Sequence, residues 1–180
     1  TFAGYDEGGF NYGTSGAGER ALGVHCGGDH QAVWVQVELF NNTGLAITSL
    51  NMNYDMEEWK SHIGGTALSV EWEYSTDGNS WSGMGGTFTT TTPNNTPDTV
   101  MDGNLAGNRV AGAGGSYTPG SAIADQSTFY MRWGHGNQSG GSDASVALDN
   151  WSFQAVPEPS TMVLFGLGSL VLVARRFRRK

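Results

Sequence analysis

Two glutamates with one residue between them, Glu71 and Glu73, are the first place in this chain where residue type and spacing could do chemistry. They lie in a segment whose apolar residues alternate, so both carboxylates share one strand face, about 6.5–7 Å apart at the backbone. Retaining glycosidases hold two carboxyls about 5–5.5 Å apart, which raises a glycosidase reading. The same alternation accounts for the pair as the solvent side of a strand, and no catalytic residue is assigned. Glu57-Glu58-Trp59-Lys60 is a polar-aromatic cluster. Trp59 is either a sugar-stacking platform or a cover over the end of a β-fold, with Lys60 paired to a carboxylate. Trp81 is the other candidate ligand contact. His25, Cys26, Asp29 and His30 hold metal-ligating atoms, but zinc sites draw defined spacings from several elements. Asp125, Asp143 and Asp149 offer the oxygen donors of a structural calcium site, although spacing alone assigns no ligand set. No nucleophile elbow, phosphate loop or His-Glu-x-x-His motif is present.

The elements that must position these groups read as short strands. Ala32 to Phe40 alternates over nine residues, with Val33, Val35, Val37 and Leu39 on one face and Trp34, Gln36, Glu38 and Phe40 on the other. Asn41-Asn42-Thr43-Gly44 is a turn, and Ile47 to Asp55 follows with Leu50, Met52 and Tyr54 inward. These two strands are expected to form a hairpin, and Met56 to Gly65 a connection. Ala67 to Ser75 carries Leu68, Val70, Trp72 and Tyr74 inward. Thr76-Asp77-Gly78-Asn79 turns the chain toward a return strand at Trp81. Gly83 to Pro97, with its threonine run, reads as an exposed loop, and Gly112 to Gly115 as a turn. Ser127 to Trp133 and Ala144 to Phe153 are the last strands. Thr1 to Gly18 shows no clear periodicity. This pattern predicts an all-β protein, a jelly-roll-like β-sandwich over residues 1–155, followed by a short hydrophobic helix within 156–180.

Charge divides the chain at the same place. Residues before 156 hold four basic side chains (Arg20, Lys60, Arg109, Arg132) against 16 acidic ones, a formal charge of −12. Such a surface repels phosphate backbones, so nucleic acid is excluded as a partner. A single cysteine, Cys26, provides no disulfide framework, and 28 glycines in 180 residues fit many tight turns.

The remaining stretch has three parts in order. Pro157 and Pro159 cannot donate backbone hydrogen bonds, so Val156 to Pro159 is expected to be extended and unpaired. Thr161 to Ala174 is uncharged, with Met162, Leu164, Phe165, Leu167, Leu170 and Leu172 apolar on every face of a helix. Arg175, Arg176, Arg178, Arg179 and Lys180 close it as a basic stop, which puts this end on the cytoplasmic side. The run is shorter than the roughly 20 residues of a full span, and snorkelling arginines lengthen its reach.

A Pro-Glu-Pro motif, a short apolar helix and an arginine-rich end in this order resemble the PEP-CTERM sorting signal of exported proteins of Gram-negative, often biofilm-forming, bacteria. The resemblance implies recognition of Pro157, Glu158 and Pro159 by an exosortase-type membrane enzyme, cleavage near them and removal of the helix. The protein would be anchored transiently in the inner membrane, then released to the envelope or extracellular space. The chain begins at Thr1 with no visible leader, which reads as a trimmed or partial form. Motifs such as Leu39-Phe40-Asn41-Asn42-Thr43-Gly44, Met131-Arg132-Trp133 and Leu148-Asp149-Asn150 resemble a body carried by other PEP-CTERM proteins. Glu73 to Trp81 resembles a hairpin of discoidin-like carbohydrate-binding sandwiches. The resulting expectation is a non-enzymatic structural or adhesive protein of an exopolysaccharide matrix, needing no cofactor beyond a candidate structural calcium. The alternatives are a carbohydrate-binding module and a glycosidase-like enzyme.

Overall fold

The computed structural model describes residues 8–25, 32–135 and 144–158. Its ten strands are β1 (Gly8–Tyr12), β2 (Ala21–His25), β3 (Val33–Phe40), β4 (Ile47–Lys60), β5 (Ser69–Ser75), β6 (Ser82–Gly83), β7 (Thr89–Thr91), β8 (Arg109–Tyr117), β9 (Thr128–His135) and β10 (Ser145–Pro157). They form two antiparallel sheets. The first runs β1-β2-β10-β4-β8, and the second runs β3-β9-β5-β6, with β7 also paired to β5.

The sheets face each other across one apolar core, as period-two alternation requires. Leu50, Met52, Tyr54 and Met56 of β4 and Val146 and Leu148 of β10 meet Val70, Trp72 and Tyr74 of β5 and Phe129, Met131 and Trp133 of β9. The valines of β3 close that layer.

β3 and β4 are not a hairpin, contrary to the sequence expectation. β3 pairs with β9, while β4 pairs with β10 and β8 in the other sheet. The chain crosses between layers at Asn41, whose buried amide donates to the carbonyls of Leu45 (2.9 Å) and Ile123 (3.0 Å). Its Oδ1 accepts from the Thr43 amide and hydroxyl. A local asparagine turn motif has become a corner between sheets, because the inward faces of both strands must reach one core.

Other expectations shift for related reasons. β4 continues through Lys60, so Glu57 to Lys60 stand on a strand and not in a connection. The threonine run supplies β7, and Thr90, Thr92 and Phe88 are all buried. The Gly112–Gly115 stretch belongs to β8, and β1 lies in the segment without visible periodicity.

Asp55 pins irregularities in both strands that flank it. The pairing of β4 with β8 slips between Tyr54 and Met56, and that with β10 slips between Asp149 and Ser152. Gly112 at φ 67° and Asn150 at φ 50° take the left-handed backbone at these bulges. The Asp55 carboxylate accepts from the Gly112 amide (2.7 Å) and the Asn150 side-chain amide (2.9 Å). The β10 bulge lets Trp151 stack on Trp72, with centroids 5.7 Å apart.

Trp133 is fully buried at the centre of β9, whereas Phe40 is 55% exposed. Trp133→Ala is expected to cost about 3–5 kcal/mol, and Phe40→Ala less than about 0.5 kcal/mol. Chemical denaturation followed by circular dichroism checks both, and similar losses would contradict this core placement.

Candidate functional site

The outward face of the second sheet gathers the groups that alternation sends away from the core. Register places Gln36, Arg132 and Glu73 in one row across β3, β9 and β5, and Glu38, Tyr130 and Ser75 in the next. Trp34 stands one row further along β3, opposite Gly134. The β5–β6 turn adds Trp81. That turn is held by Asp77, which accepts from the Ser80 amide (2.7 Å), the Asn79 amide (2.8 Å) and the Ser75 hydroxyl (2.9 Å). These donors, the backbone amides first, hold the Asp77 carboxyl well below the usual carboxylate range. Gly78, at φ 72°, closes the turn over the Tyr130 ring, where a β-carbon would touch at 3.4 Å.

Arg132 is the centre of this face. Its guanidinium lies 4.3 Å from the Trp34 ring centroid and 4.2 Å from that of Trp81. It also donates to Glu73 through both Nε and a terminal nitrogen. Glu73 draws the guanidinium along the sheet, while the indole faces hold it through cation–π attraction. The product is a ridge of two half-buried indoles and one clamped cation, flanked by Gln36, Glu38 and Glu71. Planar apolar surfaces beside fixed donors and acceptors suit a ligand with apolar ring faces and many hydroxyls. Glu73 is committed to Arg132, which leaves Glu71 as the other carboxylate on that strand face.

The structure gives Trp59 the covering role and removes it from the surface. Trp59 is 7% exposed and stacks on Tyr12, with centroids 5.7 Å apart and planes 23° from parallel. Gly103 packs against the indole so closely that a β-carbon there would fall 2.5 Å from Nε1. That Nε1–H donates to Glu57 Oε2 at 2.9 Å. Lys60 pairs with Asp98 at 2.8 Å. Trp81, by contrast, stands on the outward ridge.

Glu57 and Glu58 are both fully buried, each with one oxygen lacking a partner. Glu58 Oε2 accepts from the amide (2.9 Å) and the side chain (3.0 Å) of Asn94. Burial pushes the Glu57 carboxyl up to about 7, opposed by the Trp59 N–H, reinforced by the charges of Glu19 and Asp149 and opposed again by that of Arg109. Carboxylate oxygens of Glu19, Glu57 and Asp149 lie within 4.8 Å of one another.

Of the proposed calcium donors, Asp149 joins this group. Asp125 instead serves the crossover corner, accepting from the Gly44 amide at 2.8 Å. Asp143, Cys26, Asp29 and His30 lie outside the described residues. His25 is buried, with Nδ1 2.8 Å from the Ser145 hydroxyl. Sequence reasoning missed Arg132 and Trp34 as partners and Glu19 as a neighbour of Glu57. The usable signal was one of four basic residues in an acidic body, on an outward strand position.

Val156, Pro157 and Glu158 are engaged with the body and not unpaired as expected. β10 carries its ladder against β4 to Val156↔Ser49 and Pro157↔Ile47, and the Glu158 amide donates to the Ala46 carbonyl at 2.8 Å. The β2 partner of β10 ends at Leu148, so the missing N–H of Pro157 interrupts no second ladder there. Pro159, the apolar run from Met162 to Leu172 and the basic residues 175–180 lie outside the described residues, and so does the expected helix.

Residues 155–180 match the PEP-CTERM protein-sorting motif, so the chain carries this motif at its end. A comparison with curated proteins returns no match. Among solved structures the chain is similar to the crystal structure of a non-crystalline cellulose specific carbohydrate-binding module, CBM28. The identity is 12%, over 81% of this chain and 79% of that one, with a TM-score of 0.39.

The contact of Arg132 with Glu73 predicts a measurable coupling. A double-mutant cycle of Arg132→Ala and Glu73→Ala, read by thermal or chemical denaturation, should return about 0.5–3 kcal/mol. Strict additivity would show that the pair does not hold the ridge.

Proposed function

We propose that this chain is an exported protein, sorted and processed at its PEP-CTERM motif. Its body is a non-catalytic, adhesive glycan-binding domain of an extracellular polysaccharide matrix. The carrying observation is the Trp34–Arg132–Trp81 ridge on the outward face of the second sheet. A pyranose ring has an apolar C–H face that stacks on indole and a rim of hydroxyls that pair with Gln36, Glu38, Glu71 and the guanidinium. The ridge crosses the strands of an open sheet, which suits a polymer lying along it. With a formal charge of −12 over residues 1–155, the body favours neutral over polyanionic glycans.

The sorting motif has a mechanical context in this reading. An exosortase-type enzyme meets Pro157 and Glu158 as the end of β10, zipped against Ile47 and Ala46. Either the last residues of the strand peel from β4, or the enzyme acts beyond Glu158. The apolar run 161–174 holds the chain in the inner membrane of a Gram-negative host until it is removed.

Two measurements test the two halves. Binding of the full chain to immobilised neutral and polyanionic polysaccharides should show preference for a neutral glycan. Trp34→Ala and Trp81→Ala should each weaken it about tenfold or more with the fold retained. Undiminished binding in both variants, or no binding across the panel, overturns the glycan reading. For sorting, intact mass of the protein released by its host should lack residues 161–180, and a full-length mass in the medium overturns processing.

A further inference from the structure

We propose that Glu19, Glu57 and Asp149 form a binding site for a hard divalent cation of the calcium class, which ties the β1–β2 hairpin to the two long strands of the first sheet. The three carboxylates come from separate elements. Glu57 is on β4, Asp149 is on the neighbouring β10, and Glu19 is two residues before β2. One oxygen from each lies within 4.8 Å of the other two, a spread that a single ion can bridge.

Proximity of acids alone would carry nothing. The second observation is Glu57 itself, fully buried, with Oε1 lacking any hydrogen-bond partner. A buried carboxylate oxygen is costly when unmatched, and its usual solutions are a cation or a hydrogen bond. The nearby cations make their hydrogen bonds and ion pair with other groups, although Arg109, opposite Glu57 in register, lowers the Glu57 pKa through its charge. Arg20 donates to the Thr14 and Glu19 carbonyls (3.3 and 2.7 Å), and Arg109 reaches Asp55 at 3.9 Å. Among the described residues, no lysine or arginine is ion-paired with any of the three acids.

The donor set chooses the metal class. All three donors are carboxylate oxygens, with no imidazole or thiolate, which disfavours zinc and copper and suits calcium. Trp59 orients the buried ligand by donating to Glu57 Oε2 at 2.9 Å, and Oε1 is left without a hydrogen-bond donor. Glu19 is exposed, so this side of the site opens to solvent, where water completes the coordination that calcium requires.

The test uses the full 180-residue chain in detergent micelles. Thermal melts are run with chelator and with increasing calcium, and terbium luminescence excited through tryptophan reports occupancy directly. Calcium is expected to raise the melting temperature saturably, by about 5 °C or more once well above the dissociation constant. Terbium emission should appear and be displaced by calcium. Glu19→Gln removes an exposed ligand with little risk to the fold and should weaken the apparent calcium affinity at least tenfold. Asp149→Asn should abolish the thermal shift. Glycan binding by Glu19→Gln in chelator should match that of the parent chain, which separates this site from the ridge. No calcium-dependent shift, or an equal shift in Glu19→Gln and Asp149→Asn, overturns the proposal.

Discussion

β4 is covered on both sides over its second half, and much of the molecule answers to that constraint. A strand in a two-layer sandwich ordinarily has one dry face and one wet face. Here Met56 enters the main core while Trp59, on the opposite side, lies beneath Tyr12 and beside Gly103 and donates to the buried Glu57. Two adjacent glutamates are therefore carried out of water together. Each needs compensation, since an unmatched buried carboxylate costs several kcal/mol. Glu58 finds the Asn94 loop, and Glu57 finds the Trp59 indole, while the nearby carboxylates of Glu19 and Asp149 add to its cost. The small satellite core of Tyr12, Ala21, Trp59 and Ala147 exists because this part of β4 is buried twice.

The two sheets then divide the work. The first is long and irregular, its bulges pinned by Asp55, and it holds both the acidic cluster and the start of the sorting motif. The second is regular and displays its outward side chains in rows. A regular ladder is what a stacking ridge needs, because the spacing of Trp34 and Trp81 about Arg132 depends on cross-strand register being kept. The sorting motif takes the opposite advantage from irregularity. Pro157 ends a strand where β10 has lost its β2 neighbour, so the motif begins on a stretch paired on one side only.

Much of the fold was legible because alternation is a local signal. β3, β5 and β9 could be read with their inward and outward faces, since Val33 to Leu39, Val70 to Tyr74 and Phe129 to Trp133 each state a period of two. The hairpin turn at Asp77 was legible as well, because its hydrogen bonds lie within the turn. Pairing was not legible. Asn41-Asn42-Thr43-Gly44 reads as a hairpin turn, yet its partners are Ile123 and Asp125, about which residues 41–44 say nothing. Gly112 reads as a turn because left-handed glycine serves turns and bulges alike. β4 was cut short because acidic residues suggest water, and only a covering hairpin from elsewhere in the chain keeps water out.

By itself the sequence determined the all-β class, the inward face of each strong strand, the acidic charge of the body and the three-part sorting motif. All of these follow from composition, short-range periodicity or contiguous residues. The tertiary structure alone decided which strands are neighbours, and with that every grouping of distant side chains: Trp34 with Arg132 and Trp81, Glu19 with Glu57 and Asp149, Pro157 with Ile47. It also took Trp59 inside and left Trp81 outside. The reason is that strand pairing is set by burying one shared core, a property of the whole chain. Side chains far apart in sequence meet only after that core has chosen its register.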